Sequence, residues 1–105
     1  MGNRDMDESE AEFLEDMLDT YLDEAVRLVS YGLDDDEVAQ AADKLAFTAK
    51  VWLRGFLFGL MVAIRTRTDE AGKITKEDQM EIIEMVEERE DKVSEKLLNR
   101  ADDQG

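Results

Sequence analysis

Carboxylates are the chain's main chemical resource. Glu12 with Glu15, and Glu88 with Asp91, stand three residues apart, so each pair shares one helix face. Facing pairs of this kind can hold a magnesium ion and activate water for hydrolysis. A longer run, Glu81, Glu84, Glu87 or Glu88, and Asp91, keeps the same spacing. With 28 acids among 105 residues, such pairs also arise by chance, and a solvated helix face accounts for them. The second pair falls in a stretch with almost nothing apolar, where a closed pocket is hard to build. The serines, Ser9, Ser30 and Ser94, have no His to activate them, and there is no Cys. The commonest general base, the commonest metal ligand, a thiolate nucleophile and a disulfide framework are therefore all excluded. No catalytic residue, cofactor site or metal site is assigned, and the chain reads as non-enzymatic.

Residues 67–78 resemble an EF-hand calcium loop in outline, with Gly72 sixth, Ile74 eighth and Asp78 twelfth. The liganding places are Arg67, Asp69, Ala71, Lys73, Thr75 and Asp78. The first is a cation and the third of them has no side-chain oxygen, whereas calcium takes six to eight oxygens. A helix–turn–helix joint with a Gly bend and a Thr cap explains the segment without metal. Arg54, Arg65 and Arg67 make residues 51–67 a positive island in an otherwise acidic chain. They are expected to pair with acids from neighbouring helices. A bound phosphate would call for a Gly-rich cradle, and none accompanies them.

The formal net charge is −15. That argues against direct nucleic-acid binding, which draws its affinity from Lys and Arg on phosphates, and against an anionic membrane surface. Hydrophobic residues still make up 43% of the chain, and their periodicity indicates a folded protein, not a disordered one. The polar, acidic N-terminus has no apolar segment behind it, so it does not read as a targeting signal. Met6 stands where N-myristoylation wants Ser or Thr. The strongly apolar run Val51 to Ile64 is interrupted by Arg54 and falls short of the ~20 residues that span a bilayer. A cytoplasmic location is expected.

Periodicity predicts an all-α chain of three helices in one domain, residues 9–100, with a disordered acidic N-terminus (1–8) and a disordered tail (101–105). The first helix spans Glu10 to Tyr31. Ser9 and Glu12 fit a capping box, Leu14, Leu18, Tyr21, Ala25 and Leu28 form a stripe, and Gly32 stands where a left-handed residue would end it. The second starts behind Asp34, capped with Glu37, and meets no breaker except Gly55 and Gly59 before Thr66. Unbroken, it would be about 48 Å long, so it must bend, with Gly55 the natural place, or the molecule must be elongated or oligomeric. The third runs from Lys76 to Asn99 behind Thr75. Its stripe is thin, and Glu87 to Lys92 would form either a solvated arm or a narrow coiled-coil seam.

Val51 to Ile64 is apolar on every side, and a helix of that kind must be buried on every side. Two other helices from so short a chain cannot cover it all. The expected interaction residues are Trp52, Gly55, Phe56, Phe58, Gly59, Leu60, Met61 and Ala63, the last face being a small-residue row along which another backbone could approach and which Gly59→Leu should disrupt. The chain is thus expected to act through protein–protein contact: with itself as a bundle completed by self-association, or with another protein as an adaptor or inhibitor. The rival reading is an acidic decoy that mimics nucleic acid toward a nucleic-acid-binding protein, using Glu12, Glu15, Asp16, Asp19 and Asp23. Ten acids between Asp5 and Glu24 amount to one charge per ~3 Å of helix, against one per ~1.7 Å in duplex DNA. A decoy would gather its acids on one patch, whereas acids kept for solubility in salt would spread evenly.

Overall fold

The structure is a computed structural model and describes residues 8–67 and 74–104, with side chains as far as Asn99. The described residues are helical, without strands, in five elements: α1 (Glu8–Val29), α2 (Asp35–Gln40), α3 (Ala42–Thr66), α4 (Lys76–Glu87) and α5 (Glu90–Gln104). α3 is central and packs against α1, α4 and α5, while α2 lies mainly on α5. The chain measures 50 × 24 × 19 Å.

α1 follows its apolar stripe. Ala11, Leu14, Leu18, Leu22, Ala25 and Val26 are buried. It already includes Glu8, so Ser9 sits inside the first turn and not at the N-cap. At the other end, the buried Ser30 hydroxyl donates to the Val26 carbonyl (2.7 Å). The Leu33 N–H donates to the Ser30 carbonyl (3.1 Å), and Gly32 takes φ +82°. This is the left-handed exit that glycine adopts without a Cβ penalty.

The single long second helix does not form. The chain breaks at Ala41 (φ −105°, ψ 16°), not at Gly55. α2 is nucleated by a reciprocal capping box: Glu37 N–H donates to Asp34 Oδ1 (2.8 Å) and Asp34 N–H to Glu37 Oε1 (3.0 Å). The break costs few backbone bonds, because Ala41 still donates to Glu37 and accepts from Leu45 (3.0 and 2.8 Å). It lets Val38, 1% exposed, turn into the core where α2 meets α5, while α3 sets its own direction along α1. Past the break, α3 continues as one helix through Gly55 and Gly59, about 37 Å long.

The predicted third helix is likewise two. Thr75 and Asp78 form a capping box at the start of α4. At Glu88–Arg89 the backbone tightens, with Arg89 N–H donating to the Val86 carbonyl (3.0 Å), an i→i−3 bond. The turn redirects α5 across α3 and α2, and Val86 and Val93 on either side of it stay fully buried. The polar stretch between them is neither a free arm nor a seam. Ion pairs dock it: Glu87 and Glu90 on Lys50 (3.2 and 3.5 Å), Glu87 on Arg54 (2.8 Å), and Arg89 on Asp19 (2.9 Å). α5 reaches Gln104, past the expected end at Asn99. Residues 1–7 of the expected disordered N-terminus and Gly105 of the expected tail lie outside the described residues.

Gly32→Ala is expected to lower stability by about 1–2 kcal/mol, the cost of a left-handed residue bearing a Cβ. Urea denaturation would show this as a lower midpoint at unchanged slope.

Candidate protein-interaction face

The rotation of α3 about its own axis decides what it presents. Ala46, Ala49, Leu53, Leu57 and Met61 turn inward and are buried. Three of the four cations along the helix, Lys50, Arg54 and Arg65, turn toward acids on other elements, while Lys44 near its start is exposed. Arg65, 5% exposed, lies between α1 and α4. Its Nε and Nη2 donate to the two Glu10 carboxylate oxygens (3.2 and 3.0 Å). Its Nη1 donates to Asp78 Oδ2, and its Nη2 also reaches Asp78 Oδ1 (3.3 Å). Asp78 is wholly buried and further accepts the Thr75 N–H (3.0 Å). Burial alone would raise the Asp78 pKa. The hydrogen bond from Arg65, the Thr75 N–H and the Arg65 charge outweigh it and hold the carboxyl below its ordinary value. Glu10 and then Asp78 in turn hold Arg65 above the ordinary arginine value against its own desolvation. Farther along, hydrogen bonds from Lys50 and Arg54 lower Glu87.

With its charges drawn sideways and inward, α3 leaves an uncharged outer face. Phe47 is 58% exposed, Val51 45% and Phe58 41%. Gly55, Gly59 and Ala63 share the exposed side. α4 extends the face with Met80 and Ile83. Between the two helices lies an open groove of about 250 Å³ lined by Arg54, Gly55, Phe58, Gln79, Ile82 and Ile83. Gly55 lines it without a side chain. At its edge the Nε of Arg54 is buried without a hydrogen-bond partner, although Nη2 is held by Glu87.

The structure divides the predicted interaction residues. Gly55, Phe58, Gly59 and Ala63 lie on the exposed face. Trp52, Phe56 and Leu60 are half-buried against the core, with Trp52 stacked on Phe56 (5.2 Å between ring centroids) and Phe56 tilted against Tyr21 (5.0 Å). Met61 is fully buried and offers nothing to a partner. Burial on every side, expected for this segment, is therefore not achieved within one chain. The close approach at Gly59 is not made within it either, since a Cβ there would meet nothing within 4 Å. A Cβ at Gly59 thus meets no neighbour among the described residues. Phe47, Val51, Met80 and Ile83 were missed. The spacing Phe47, Val51, Gly55, Phe58, Val62 would have revealed the first two, but attention to the contiguous run hid a stripe that begins ahead of it.

Glu12, Glu15, Asp16, Asp19 and Asp23 of α1 are all exposed. Three of them meet cations from the α4–α5 side: Asp19 and Glu15 approach Arg89 (2.9 and 3.6 Å), and Asp23 approaches Lys96 (2.7 Å). The hydrogen bond from Arg89 is the main reason Asp19 titrates below its ordinary value. Arg89 also lies 3.6 Å from Glu88. Arg89 thus approaches one acid of each candidate pair, Glu15 and Glu88. Among the described residues no group of three or more acids could hold a metal ion. Most of the loop with calcium-site outline, residues 68–73, lies outside the described residues, and its last place, Asp78, is taken up by Arg65 and Thr75.

The chain matches no family model, no curated protein and no solved structure. Among the described residues α3 is the one helix long and apolar enough to cross a membrane by length and composition. Its Leu53, Leu57 and Met61 lie in the core, and its Lys50, Arg54 and Arg65 form ion pairs with other helices.

Two outcomes follow. Gly55→Ala, measured where the chain is dilute, should raise stability by about 1 kcal/mol, because the added methyl meets open space and alanine is the better helix former; a lowered melting temperature would contradict the exposed placement. Asp78→Asn should cost about 3 kcal/mol at neutral pH, as expected when one partner of a buried ion pair is removed. Because folding lowers the Asp78 pKa, its contribution is complete above the unfolded value and is lost as pH falls through the folded one. The gap between the variant and the parent chain, followed by denaturant titration, should therefore close below about pH 4.

Proposed function

We propose that this chain is a small non-enzymatic helical protein that works by binding protein through the outer face of α3 and the adjoining edge of α4, and that it does so in the cytoplasm. The observation that carries this reading is the acid-free, largely apolar face from Phe47 to Val62, bordered by Arg54 and joined by Met80 and Ile83, on a chain of net charge −15. Apolar surface next to a groove is what partner helices and aromatic anchors seat upon, and large exposed apolar patches mark interaction sites. Phe58, at the groove mouth, is the central anchor.

The decoy reading draws on the acids that α1 lines up toward α4 and α5. Its support is weaker, because Arg89 and Lys96 meet three of the five acids singled out and reduce the charge on offer. The two readings predict opposite sensitivities. Affinity capture from a lysate of the native host, compared across variants, separates them. Proteins retained by the parent chain and by Asp16→Lys but lost with Phe58→Asp would support the α3 face. Proteins lost with Asp16→Lys, kept with Phe58→Asp and released at moderate salt would favour the decoy.

A further inference from the structure

We infer that the occupant of this face is a second copy of the same chain, laid antiparallel across α3 about a two-fold axis near Gly55. The inference rests on the proposed docking face and names what covers it.

Charge selects both the surface and the orientation. A two-fold contact sets a patch against itself, so any patch with net charge meets its own sign. Acids dominate the exposed side of α1 toward α5 and the start of α2, which reads Asp34, Asp35, Asp36, Glu37. Like charges brought together there would repel, and such juxtapositions disfavour a contact strongly. On the outer face of α3 from Phe47 to Thr66 no acid appears, and the cations on that stretch are held by Glu10, Asp78, Glu87 and Glu90. It is the surface on which two such acidic chains can meet. The ends of α3 then choose the direction. The chain enters it through Asp34–Glu37 and Asp43, with one exposed cation, Lys44, beside them, and leaves it through the exposed Arg67, Arg65 being buried on Glu10 and Asp78. An antiparallel partner sets the acidic end of one helix near the basic end of the other and opposes the two helix dipoles, whereas a parallel partner would stack acid on acid.

The shape agrees. Centred on Gly55, antiparallel packing brings Phe58 of each copy opposite Val51 and Gly55 of the other, beside the α3–α4 groove. The open space where a Cβ at Gly55 or Gly59 would stand is the room a second helix needs for close approach. The extent sets the strength. From Phe47 to Thr66 the face is about 29 Å long on a helix ~10 Å wide, so it contributes roughly 300 Å² per copy, widened by Met80 and Ile83. That is below the ~800 Å² per partner of a standard stable interface. The dimer is therefore a weak one that forms and dissociates with concentration.

Salt gives the test its sign. Two copies of charge −15 repel, and screening weakens that repulsion, so added salt should tighten the dimer. A complex with a basic partner would loosen. Sedimentation velocity of the full chain from 1 µM to 1 mM, at 0.05 and 0.5 M NaCl, should show a monomer–dimer equilibrium with at least a tenfold lower Kd at the higher salt. Phe58→Asp should abolish it while circular dichroism stays unchanged. Gly59→Ala should weaken dimerisation at least fivefold while raising the melting temperature of the dilute chain, opposite effects that a general loss of folding cannot produce. A chain that stays monomeric across both series, a dimer loosened by salt, or a dimer indifferent to Phe58→Asp and Gly59→Ala overturns the inference. If the chain is monomeric yet captures a protein that Phe58→Asp loses, self-pairing fails and the interaction face stands. If neither copy nor partner binds there, both fail.

Discussion

The ion-paired cluster of Arg65 with Asp78 and Glu10 is the constraint on which the arrangement of α3 depends. It joins three helices at one point, and burying it is tolerable only because every charge in it has an opposite neighbour. Asp78 serves twice, as the N3 carboxylate that caps α4 through Thr75 and as the counter-ion of Arg65. The start of α4 is therefore anchored to the end of α3 whatever the intervening loop does. One such anchor fixes how α3 is rotated, and its rotation decides which of its apolar residues enter the core and which remain outside.

The rest of the charge pattern works with it. Lys50 and Arg54 hold Glu87 and Glu90, and Arg89 holds Asp19, so the polar joint between α4 and α5 is kept against the body of the protein with no apolar residue of its own. Partly exposed pairs of this kind contribute little each. Their effect is directional: they draw the cations of α3 toward α4 and α1, and the outer face is left free of charge. The acidity of the whole is set by composition; the pairings decide only where α3 shows little of it.

Glycine on α3 fits the proposed pairing. Gly55 and Gly59 cost helix stability, and neither backbone geometry nor a crowded neighbour within the chain requires them, since a Cβ at either would meet empty space. The positive φ of Gly32 is a local necessity. In the proposed pairing the α3 glycines supply the room for a second helix, beside the groove that opens at Phe58.

Much of this was legible in the residues. Composition excluded nucleophilic and thiolate chemistry, since no tertiary arrangement can supply a His or Cys that is absent. The all-helical class followed from the 3.6-residue recurrence of Leu14, Leu18, Leu22 and of Ile82, Val86, Val93, because that period survives any packing. The caps at Asp34 and Thr75 and the exit at Gly32 were readable because each is settled within four residues. What the pattern could not decide was where two long helices break and which side of α3 faces out. Ala41 and Arg89 are ordinary helix residues. The chain turns there because Val38 and Val93 have to reach cores set by other helices, a non-local demand with no local signature. Met61 and Phe58 are both apolar and three residues apart, so sequence alone treats them alike. Only contacts distant in sequence, the packing of Leu53 and Leu57 on other helices and the pairing of Arg65 with Asp78 and Glu10, 13 and 55 residues away, place one in the core and leave the other on the surface.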